Sequence, residues 1–538
     1  MSPQDNPPSR SDPQDGSTGP QTDSGTSPPA GPQDDPQASP MTADEAPPPR
    51  CIFLLFGATG DLAARKIAPA LYNLYASGHI GDNFAVIGIA RRERSDEQFR
   101  DEMFKAIGEF GRVKPDPEVW KRFSQRWHYR VAEAHTVEAH KELAEYLRGI
   151  DRKYDCGGSC LFYLAYPPDI FGQTVANLAK AGLGKPLREG GFMRLVVEKP
   201  FGSDLESARA LNAVLLDNYE ESQVYRIDHY LGKETAQNLM VFRFANAIWD
   251  HLFDRKYVDR VEITTAEKVG MEGRRGPYYE SVGAVRDMIQ NHMLQLMALV
   301  AMDAPGCIRC DDIREQKARL LASVSVLTPQ EVARWTVRGQ YAAADDQPAY
   351  RQESGVAADS TVETYAAIRL FVENKRWSGV PFYLRTGKEL AAKTSQIVVV
   401  FKREEGRMLE DMSCELRGAN RLCIRINPDE GIYVTFDAKL PGVRMMLRPV
   451  RMDFRYGSSF ESASPEAYEQ LLLDAARGDP TLFIRNDEVE ASWRVIDSIR
   501  NAWQQTGQPP LEMYKPGSWG PQDAERIFND PYKHWQAM

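Results

Sequence analysis

Cysteine is scarce in this chain, which has seven in 538 residues. An odd and sparse set does not build the disulfide framework of a small secreted domain, and it indicates a reducing compartment. Basic residues are also few, since 66 Lys and Arg face 76 Asp and Glu and leave a net charge of −10. Nucleic acids and membrane surfaces favour basic proteins, so we expect neither as a partner.

Long apolar runs are lacking as well. The sequence has no stretch of about 18 apolar residues, so it predicts no transmembrane helix. Its N-terminus shows neither the basic segment nor the apolar segment of a secretory signal. Together with the low cysteine content, these absences predict a cytoplasmic protein.

Two cysteine pairs have a spacing that deserves comparison with metal sites, Cys307-x-x-Cys310 and Cys156-x-x-x-Cys160. Four thiolates can hold zinc, but these pairs lie far apart and neither belongs to a ribbon-like pattern. We therefore expect ordinary thiols and no metal.

The composition divides the chain. Residues 1–49 contain no aromatic side chain and are rich in Pro, Ser, Asp, Gln and Gly. Such a segment buries too little apolar surface to offset the entropy of ordering, so we predict a disordered tail. The whole chain is 42% hydrophobic and 26% charged, which is enough for two or three globular units.

Residues 50–227 have an alternating pattern of strands and helices. The first strand, Cys51–Phe56, is a continuous apolar run, as expected of a strand that is buried on both faces. Such alternation predicts a Rossmann-like, doubly wound parallel sheet. Strands are predicted at 51–56, 84–90, 127–132, 160–166, 192–198 and 223–227, with helices at 61–74, 96–109, 136–149, 169–182 and 204–217.

Residues 228–538 have a different pattern. Strand-like runs there are joined by turns more often than by helices, which predicts a β+α domain with a large, mainly antiparallel sheet. The predicted fold class is therefore α/β, with a second β+α domain. Predicted strands are 362–372, 396–401, 422–426, 432–436 and 444–447, and predicted helices are 234–245, 284–301, 465–477 and 487–505.

Gly57-x-x-Gly60 stands between the first strand and its helix. Glycines there permit a tight turn and let backbone N–H groups approach a pyrophosphate, with Thr59 and Asp61 as further contributors. A plain tight turn is the alternative. Arg91 ends the second strand, where folds that prefer NAD place an acidic residue, so its guanidinium suits the 2′-phosphate of NADP. The alternative is a solvated arginine.

Polar residues also follow two later strands. Lys199 ends one of them, where it can reach both cofactor and substrate, although an exposed loop lysine is the commoner fate. The next strand leads into Arg226–Glu234, in which Asp228 and His229 precede Lys233, a set suited to an anion. His292 lies in a mostly apolar helix, either as a neutral base or as a structural histidine of the core.

Taken together, these motifs resemble the glucose-6-phosphate dehydrogenase family, over nearly everything from about residue 51 to residue 530. The block Arg226–Glu234 is highly specific, whereas the glycine loop alone is not. The motifs are Gly57-Ala-Thr-Gly-Asp-Leu-Ala63, Glu198-Lys-Pro-Phe-Gly202, Arg226-Ile-Asp-His-Tyr-Leu-Gly-Lys-Glu234, Gln290-Asn-His292, Leu384-Arg-Thr-Gly-Lys388 and Gly517-Ser-Trp-Gly-Pro521.

The resemblance implies a coenzyme domain, a substrate domain, and oxidation of glucose 6-phosphate to 6-phosphogluconolactone with reduction of NADP. That reaction is the first step of the oxidative pentose phosphate pathway. A homodimer or homotetramer built through the second domain's sheet is also implied.

The resemblance further assigns roles to single residues. It implies that His292 is the base and that Asp228 orients it. The implied phosphate ligands are His229, Tyr230, Lys233 and Lys388; Glu267 and Asp287 hold sugar hydroxyls; and Lys393 stands where some relatives carry an arginine that helps to bind substrate.

Two other functions remain to be weighed. A different sugar oxidoreductase, like the glucose–fructose oxidoreductase group, would have a shorter chain and would lack the Arg226–Glu234 block. An inactive NADP-binding scaffold would have no need to keep His292, Asp228 and the phosphate lysines together.

Overall fold

The structure is a computed structural model. The residues it describes are 47–131, 136–165, 170–273, 275–306, 310–345, 347–403, 419–443, 446–459 and 465–536. The predicted disordered tail therefore lies outside the described residues except for 47–49, and so does Cys307 of the Cys307-x-x-Cys310 pair.

Described strands fall into two sheets. The first runs in the order β15-β6-β5-β4-β1-β2-β3, and the second in the order β14-β13-β12-β11-β7-β10-β9-β8-β16. The strands are β1 Cys51–Phe56, β2 Phe84–Ala90, β3 Trp127–Val131, β4 Cys160–Leu164, β5 Met193–Val197, β6 Val224–Ile227, β7 Val258–Ala266, β8 Thr336–Tyr341, β9 Tyr365–Phe371, β10 Pro381–Gly387, β11 Thr394–Phe401, β12 Arg421–Asn427, β13 Gly431–Lys439, β14 Leu447–Arg455, β15 Phe483–Ile484 and β16 Leu511–Tyr514.

Helices pack against both sheets. Three stretches are π-helical: Ala63–Ile67, Ala179–Leu183 and Val285–Met293. The α-helices are α1 Ala68–Ala76, α2 Asp96–Phe110, α3 Pro117–Ser124, α4 Val137–Tyr154, α5 Phe171–Leu178, α6 Leu205–Leu216, α7 Glu234–Phe244, α8 Ala247–Asp250, α9 Gly276–Ala284, α10 Leu294–Ala301, α11 Cys310–Ala322, α12 Pro329–Trp335, α13 Tyr456–Ser459, α14 Ala467–Arg477 and α15 Asn486–Thr506.

The first sheet is the predicted doubly wound sheet. Strands β1 to β6 pair in parallel, and all six residues of β1 are buried because helices cover both faces of the sheet. The cores of the predicted strands are confirmed, with ends that differ by one or two residues. Helix α3 was not predicted from the sequence.

The second sheet is mainly antiparallel, as predicted. Two neighbouring pairs, β7 with β10 and β8 with β16, are parallel. The strand predicted at 444–447 overlaps β14 only at Leu447, and residues 444–445 lie outside the described part of the chain.

The C-terminal part of the chain returns to the first sheet. Strand β15 pairs antiparallel with β6, placing Phe483 opposite Ile227. On α15, the indole N–H of Trp493 donates to the carbonyl of Phe201 at 2.8 Å. The division of the chain at residue 228 stays a prediction, but the end of β6 is plainly surrounded by residues distant in sequence.

Four cysteines of the described part, Cys51, Cys156, Cys160 and Cys423, are buried free thiols, as expected. Among the described helices, none has both the length and the apolar character needed to cross a bilayer.

Candidate active site

The predicted site residues of the first sheet lie along one edge. Gly57 follows β1, Arg91 follows β2, Lys199 is the second residue after β5, and Asp228 follows β6. The strand order β6-β5-β4-β1-β2 brings these carboxyl ends side by side. In open parallel sheets, this edge is where ligands bind.

His292 and Asp228 form a buried hydrogen-bonded pair. The imidazole Nδ1 lies 2.5 Å from Asp228 Oδ1, and each residue is only 1% exposed. Burial works against ionisation of Asp228, but the charge and hydrogen bond of His292 outweigh it and lower the carboxyl pKa to about 2. Burial also lowers the pKa of His292, although Asp228 opposes that change, so the imidazole is neutral near pH 7.

The backbone holds both Asp228 and His292 in position. Asp228 Oδ1 also accepts the backbone N–H of Tyr230 at 2.9 Å, while its Oδ2 is buried without a hydrogen-bond partner. His292 belongs to the π-helical stretch, whose wider turns are a common feature of functional sites. Since Nδ1 donates to Asp228, the other ring nitrogen, Nε2, carries the lone pair.

Lys199 meets that second nitrogen. Its ammonium lies 3.0 Å from His292 Nε2 and donates to Asp287, at 3.1 Å to Oδ1 and 3.0 Å to the carbonyl oxygen. Burial alone would lower the pKa of Lys199, but the charge of Asp287 raises it above its usual value. In turn, Lys199 outweighs burial and lowers the pKa of Asp287 to about 2.

The two residues after Asp228 enclose the imidazole. The Tyr230 ring stacks on His292 with centroids 4.5 Å apart, and its hydroxyl lies 3.1 Å from Ser395 Oγ. The His229 ring meets His292 edge-on, also at 4.5 Å. Burial, followed by the charge of His292, lowers the pKa of His229 well below its usual value, so His229 is neutral.

Lys233 opens helix α7 and is half-buried. Burial lowers its pKa, and Lys393 and Lys66 lower it further, against the opposing charges of Glu430 and Glu466. Within the described residues, no carboxylate is bonded to the Lys233 ammonium, whereas Lys66 donates to Glu466 at 2.8 Å.

Two predicted substrate residues pair with each other. The Lys388 ammonium donates to Glu267 Oε2 and lies 5.3 Å from the centre of the Tyr279 ring. Lys388 also contributes to lowering the pKa of Asp287. Glu267 and Lys388 follow the parallel strands β7 and β10, so this pair lies at one end of the second sheet.

The glycine loop has the shape that a dinucleotide requires. Gly57 has φ +81°, and a Cβ there would collide with the carbonyl oxygen of Ala165. Its turn is held because the N–H groups of Gly57 and Ala58 both donate to Ile89 O. Thr59, Gly60 and Asp61 are exposed beyond that turn, so the residues present fit a pyrophosphate lying across the loop.

The two charged residues predicted for the cofactor are exposed as well. Asp61 forms an ion pair with Arg65 at 2.7 Å, and Arg91 extends from the end of β2. The exposed guanidinium and the tight glycine turn are compatible with a phosphorylated dinucleotide.

Sequence reasoning missed a cluster in which two buried tyrosines surround the half-buried Glu198. Its Oε1 accepts hydrogen bonds from Tyr163 OH and, at 3.2 Å, from Tyr468 OH. Burial raises the pKa of Glu198. The motif around Lys199 was a signal for Glu198, but nothing in the sequence connects Tyr468 with it, because they are 270 positions apart.

Donor atoms of Asp228, His229 and His292 lie within 4.8 Å of one another, as ligands of a metal ion would. The hydrogen bond between Asp228 Oδ1 and His292 Nδ1 already engages two of these atoms, so the cluster needs no ion to explain it.

A glycine turn on a parallel sheet, with a buried histidine–carboxylate pair at the same edge, defines the class: an oxidoreductase that uses a nicotinamide dinucleotide. Comparison with known families agrees. Residues 54–238 match the family model "Glucose-6-phosphate dehydrogenase, NAD binding domain", and residues 240–536 match "Glucose-6-phosphate dehydrogenase, C-terminal domain". The chain therefore belongs to the glucose-6-phosphate dehydrogenase family.

Individual relatives resemble the chain over nearly its full length. Glucose-6-phosphate 1-dehydrogenase of Chlamydia pneumoniae is 42% identical over 498 residues, covering 91% of this chain and 96% of its own. A solved glucose-6-phosphate dehydrogenase in complex with glucose 6-phosphate has a TM-score of 0.83 at 31% identity, covering 91% of this chain and 99% of its own. The enzyme from Mycobacterium avium has a TM-score of 0.77 at 36% identity, covering 91% and 98%.

Proposed function

We propose that this chain oxidises glucose 6-phosphate to 6-phosphoglucono-1,5-lactone with NADP as the hydride acceptor, in the first step of the oxidative pentose phosphate pathway. The observation that carries the proposal is the neutral, buried imidazole of His292, held by Asp228 at the ligand-binding edge of the parallel sheet. Family membership supports the oxidation of glucose 6-phosphate; the residue roles are those that the family resemblance implies, and the geometry supports them together with the choice of NADP.

His292 is the general base. Oxidation at carbon 1 requires loss of the hydroxyl proton as hydride leaves the same carbon. The proton passes to His292 Nε2, because Nδ1 is engaged by Asp228. A lowered pKa keeps Nε2 unprotonated and ready to accept it near pH 7.

Asp228 orients the base and stabilises its charged form. Its carboxylate fixes the tautomer in which Nε2 is free, and its negative charge compensates the imidazolium that forms. A pKa of about 2 keeps the carboxylate ionised throughout the working pH range.

Before substrate binds, the Lys199 ammonium contacts Nε2 of His292. The ammonium occupies the position beside Nε2 that the substrate hydroxyl needs, so binding requires that this contact be exchanged. The positive charge also disfavours protonation of His292. Lys199 then lies where it can contact both the sugar and the cofactor.

The phosphate group is bound by His229, Tyr230 and Lys233, with Lys388 from the second sheet, and Lys393 helps to bind the substrate. Lys233 is the strongest of these candidates, since its half-buried ammonium has no carboxylate bonded to it among the described residues. An incoming phosphate supplies the missing counter-charge.

Glu267 and Asp287 hold sugar hydroxyls. Both are carboxylates that currently accept hydrogen bonds from lysines, Lys388 and Lys199 respectively. Carboxylate oxygens accept hydrogen bonds from hydroxyl groups equally well. The two lysines then become available to the substrate.

NADP is held by Gly57, Thr59, Gly60 and Asp61 at its pyrophosphate and by Arg91 at its 2′-phosphate, with Lys199 near its reactive end. Bound NADP supplies the hydride acceptor. The exposed guanidinium of Arg91, where an acidic residue would favour NAD, supports the preference for NADP.

Assembly and location complete the proposal. We propose a homodimer or homotetramer, because edge strand β14 is largely exposed and carries Val450 at 38% and Met452 at 65% exposure. Exposed apolar side chains on an edge strand offer a surface that a second copy of the chain can cover. We also propose a cytoplasmic protein with its coenzyme domain at 50–227 and its substrate domain at 228–538.

Measuring cofactor reduction by absorbance tests the function. Purified full-length protein is expected to reduce NADP with glucose 6-phosphate, more slowly with galactose 6-phosphate, and less efficiently with NAD. His292→Asn should abolish turnover, whereas the matched control His140→Asn, at a buried histidine on α4, should not. An inactive wild-type protein would favour the scaffold alternative, and an active His292→Asn variant would reject the assigned base.

A further inference from the structure

A second cleft lies at the opposite end of the large sheet from the proposed substrate residues. Its cavity volume is about 700 Å³, and its walls include the beginnings of β7 and β10, whereas Glu267 and Lys388 follow the ends of those strands. Glu267 lies eight positions after Asp259 along β7, or about 26 Å at about 3.3 Å per residue. The cleft is therefore separate from the proposed catalytic site.

Positive charge is concentrated in this cleft. Five cationic side chains and two carboxylates line it, a surplus of three positive charges in a chain whose net charge is −10. The cationic side chains are Arg255, Lys256, Arg369, Lys402 and Lys533.

One of the two carboxylates is already neutralised. Asp259 receives hydrogen bonds from Lys533 at 2.7 Å and from Arg260 at 3.0 Å. Burial works against ionisation of Asp259, but these cations lower its pKa. Among the described residues, no carboxylate forms an ion pair with Arg255, Lys256 or the other two cations of the cleft.

Arg369 is the most informative of the unpaired cations. Its guanidinium lies over three aromatic rings, 4.9 Å from the centre of Phe371, 5.5 Å from Trp335 and 5.8 Å from Tyr383. Its Nε is buried and has no hydrogen-bond partner. That buried atom is out of a ligand's reach, but Arg369 lines the cavity, and its contacts with three rings fix the position of its positive charge there.

Lys402 faces the same cavity from a defined position. Its ammonium donates to the carbonyl oxygen of Arg255 at 2.6 Å, and its backbone N–H donates to the carbonyl of Tyr257. This hydrogen bond links the Lys402 side chain to the backbone of Arg255. The Lys402 ammonium keeps two further N–H donors for a ligand.

We propose that this cleft binds a small phosphorylated anion. Guanidinium and ammonium groups around one cavity are the donors that phosphate oxygens select, and several cations favour a ligand with more than one negative charge. Tyr383 and Phe528 line the cleft but are only 1% and 3% exposed. Because they offer no open ring face, recognition rests on the phosphate groups rather than on a stacked base.

Isothermal titration calorimetry tests the proposal. Full-length protein saturated with glucose 6-phosphate and NADPH, which fill the catalytic site without turnover, is titrated with inorganic pyrophosphate, ATP or adenosine. Pyrophosphate and ATP are expected to bind once per chain, and adenosine is not. Arg369→Leu and Lys402→Gln should each weaken binding about 10-fold, the usual effect of losing one charge-assisted hydrogen bond.

Matched variants separate this site from general charge attraction. Lys141→Gln removes an exposed cation on α4, far from the cleft in the fold, and should leave binding unchanged. The proposal is overturned if pyrophosphate does not bind at up to about 10 mM, an affinity too weak to reflect a built site. It is also overturned if Lys141→Gln weakens binding as much as Lys402→Gln, or if only Lys233→Ala does. Lys402 is exposed, so its variant remains decisive should Arg369→Leu not fold.

Discussion

Replacing Asp228 with asparagine removes the negative charge that is hydrogen-bonded to Nδ1 of His292, while nearly preserving side-chain size. The two charge centres are about 4 Å apart, which corresponds to about 4 kcal/mol at an effective dielectric constant of about 20. Asp228 exerts this stabilisation mainly when His292 becomes charged in the transition state. We therefore expect kcat to fall about 1,000-fold, at about 1.4 kcal/mol per factor of ten.

Two further readouts distinguish orientation of the base from substrate binding. The KM for glucose 6-phosphate should change little, since Asp228 contacts His292 and the backbone of Tyr230 rather than an open surface. Asp228 also raises the pKa of His292, so its loss should move the acidic limb of the kcat profile to lower pH. Steady-state kinetics across a pH series measure both quantities.

The matched control is Asp151→Asn. Asp151 is another buried carboxylate, on α4, where it accepts the N–H of Gly158 at 2.8 Å and pairs with Arg188. Its loss should affect thermal stability and leave kcat unchanged. A kcat for Asp228→Asn within 10-fold of wild type, or a rise in KM at constant kcat, would refute the reasoning.

Three other changes test neighbouring residues. Lys233→Ala should raise the KM for glucose 6-phosphate about 30-fold, the effect of losing one charged hydrogen bond, and leave activity on free glucose unchanged. Lys199→Met should lower turnover and, because Lys199 lowers the pKa of His292, move the acidic limb of kcat/KM to higher pH. Arg91→Asp should reduce the preference for NADP over NAD by about 10-fold or more, measured as the ratio of kcat/KM values.

For each of these three variants, one result would contradict the role assigned to the residue. Equal losses with glucose and glucose 6-phosphate would show that Lys233 does not bind phosphate. An unmoved acidic limb in Lys199→Met would mean that Lys199 does not set the charge state of His292. An unchanged cofactor ratio in Arg91→Asp would assign NADP recognition to other groups.

Much of the fold was predictable because burial on both faces leaves a continuous apolar run in the sequence. Strands such as Cys51–Phe56 and Phe84–Ala90 are confirmed to the residue for that reason. Short or polar elements give no such signal, and helix α3, which begins at Pro117 just after Pro115, was missed. The predicted strand at 444–447 was displaced from β14, whose exposed residues lack a clear apolar alternation.

Prediction of the candidate site followed the same pattern. Motifs at the strand ends singled out Gly57, Lys199 and Asp228 in the sequence, because such positions face the ligand edge of a parallel sheet. His292 lies in a helix and was singled out as the base only by the family resemblance. The state of each side chain was not predictable. Only the structure joins Lys388 to Glu267 in an ion pair, and only it shows a Lys233 ammonium to which no carboxylate of the described residues is bonded.

By itself, the sequence determined the alternation of strands and helices, the glycine turn and the types of side chain proposed for catalysis, since these depend on local patterns. The tertiary structure decided which residues that are distant in sequence come into contact. His292 reaches Asp228 across 64 positions, and Tyr468 reaches Glu198 across 270. Those contacts set burial and charge at the site, and burial and charge in turn set the pKa values on which proton transfer depends.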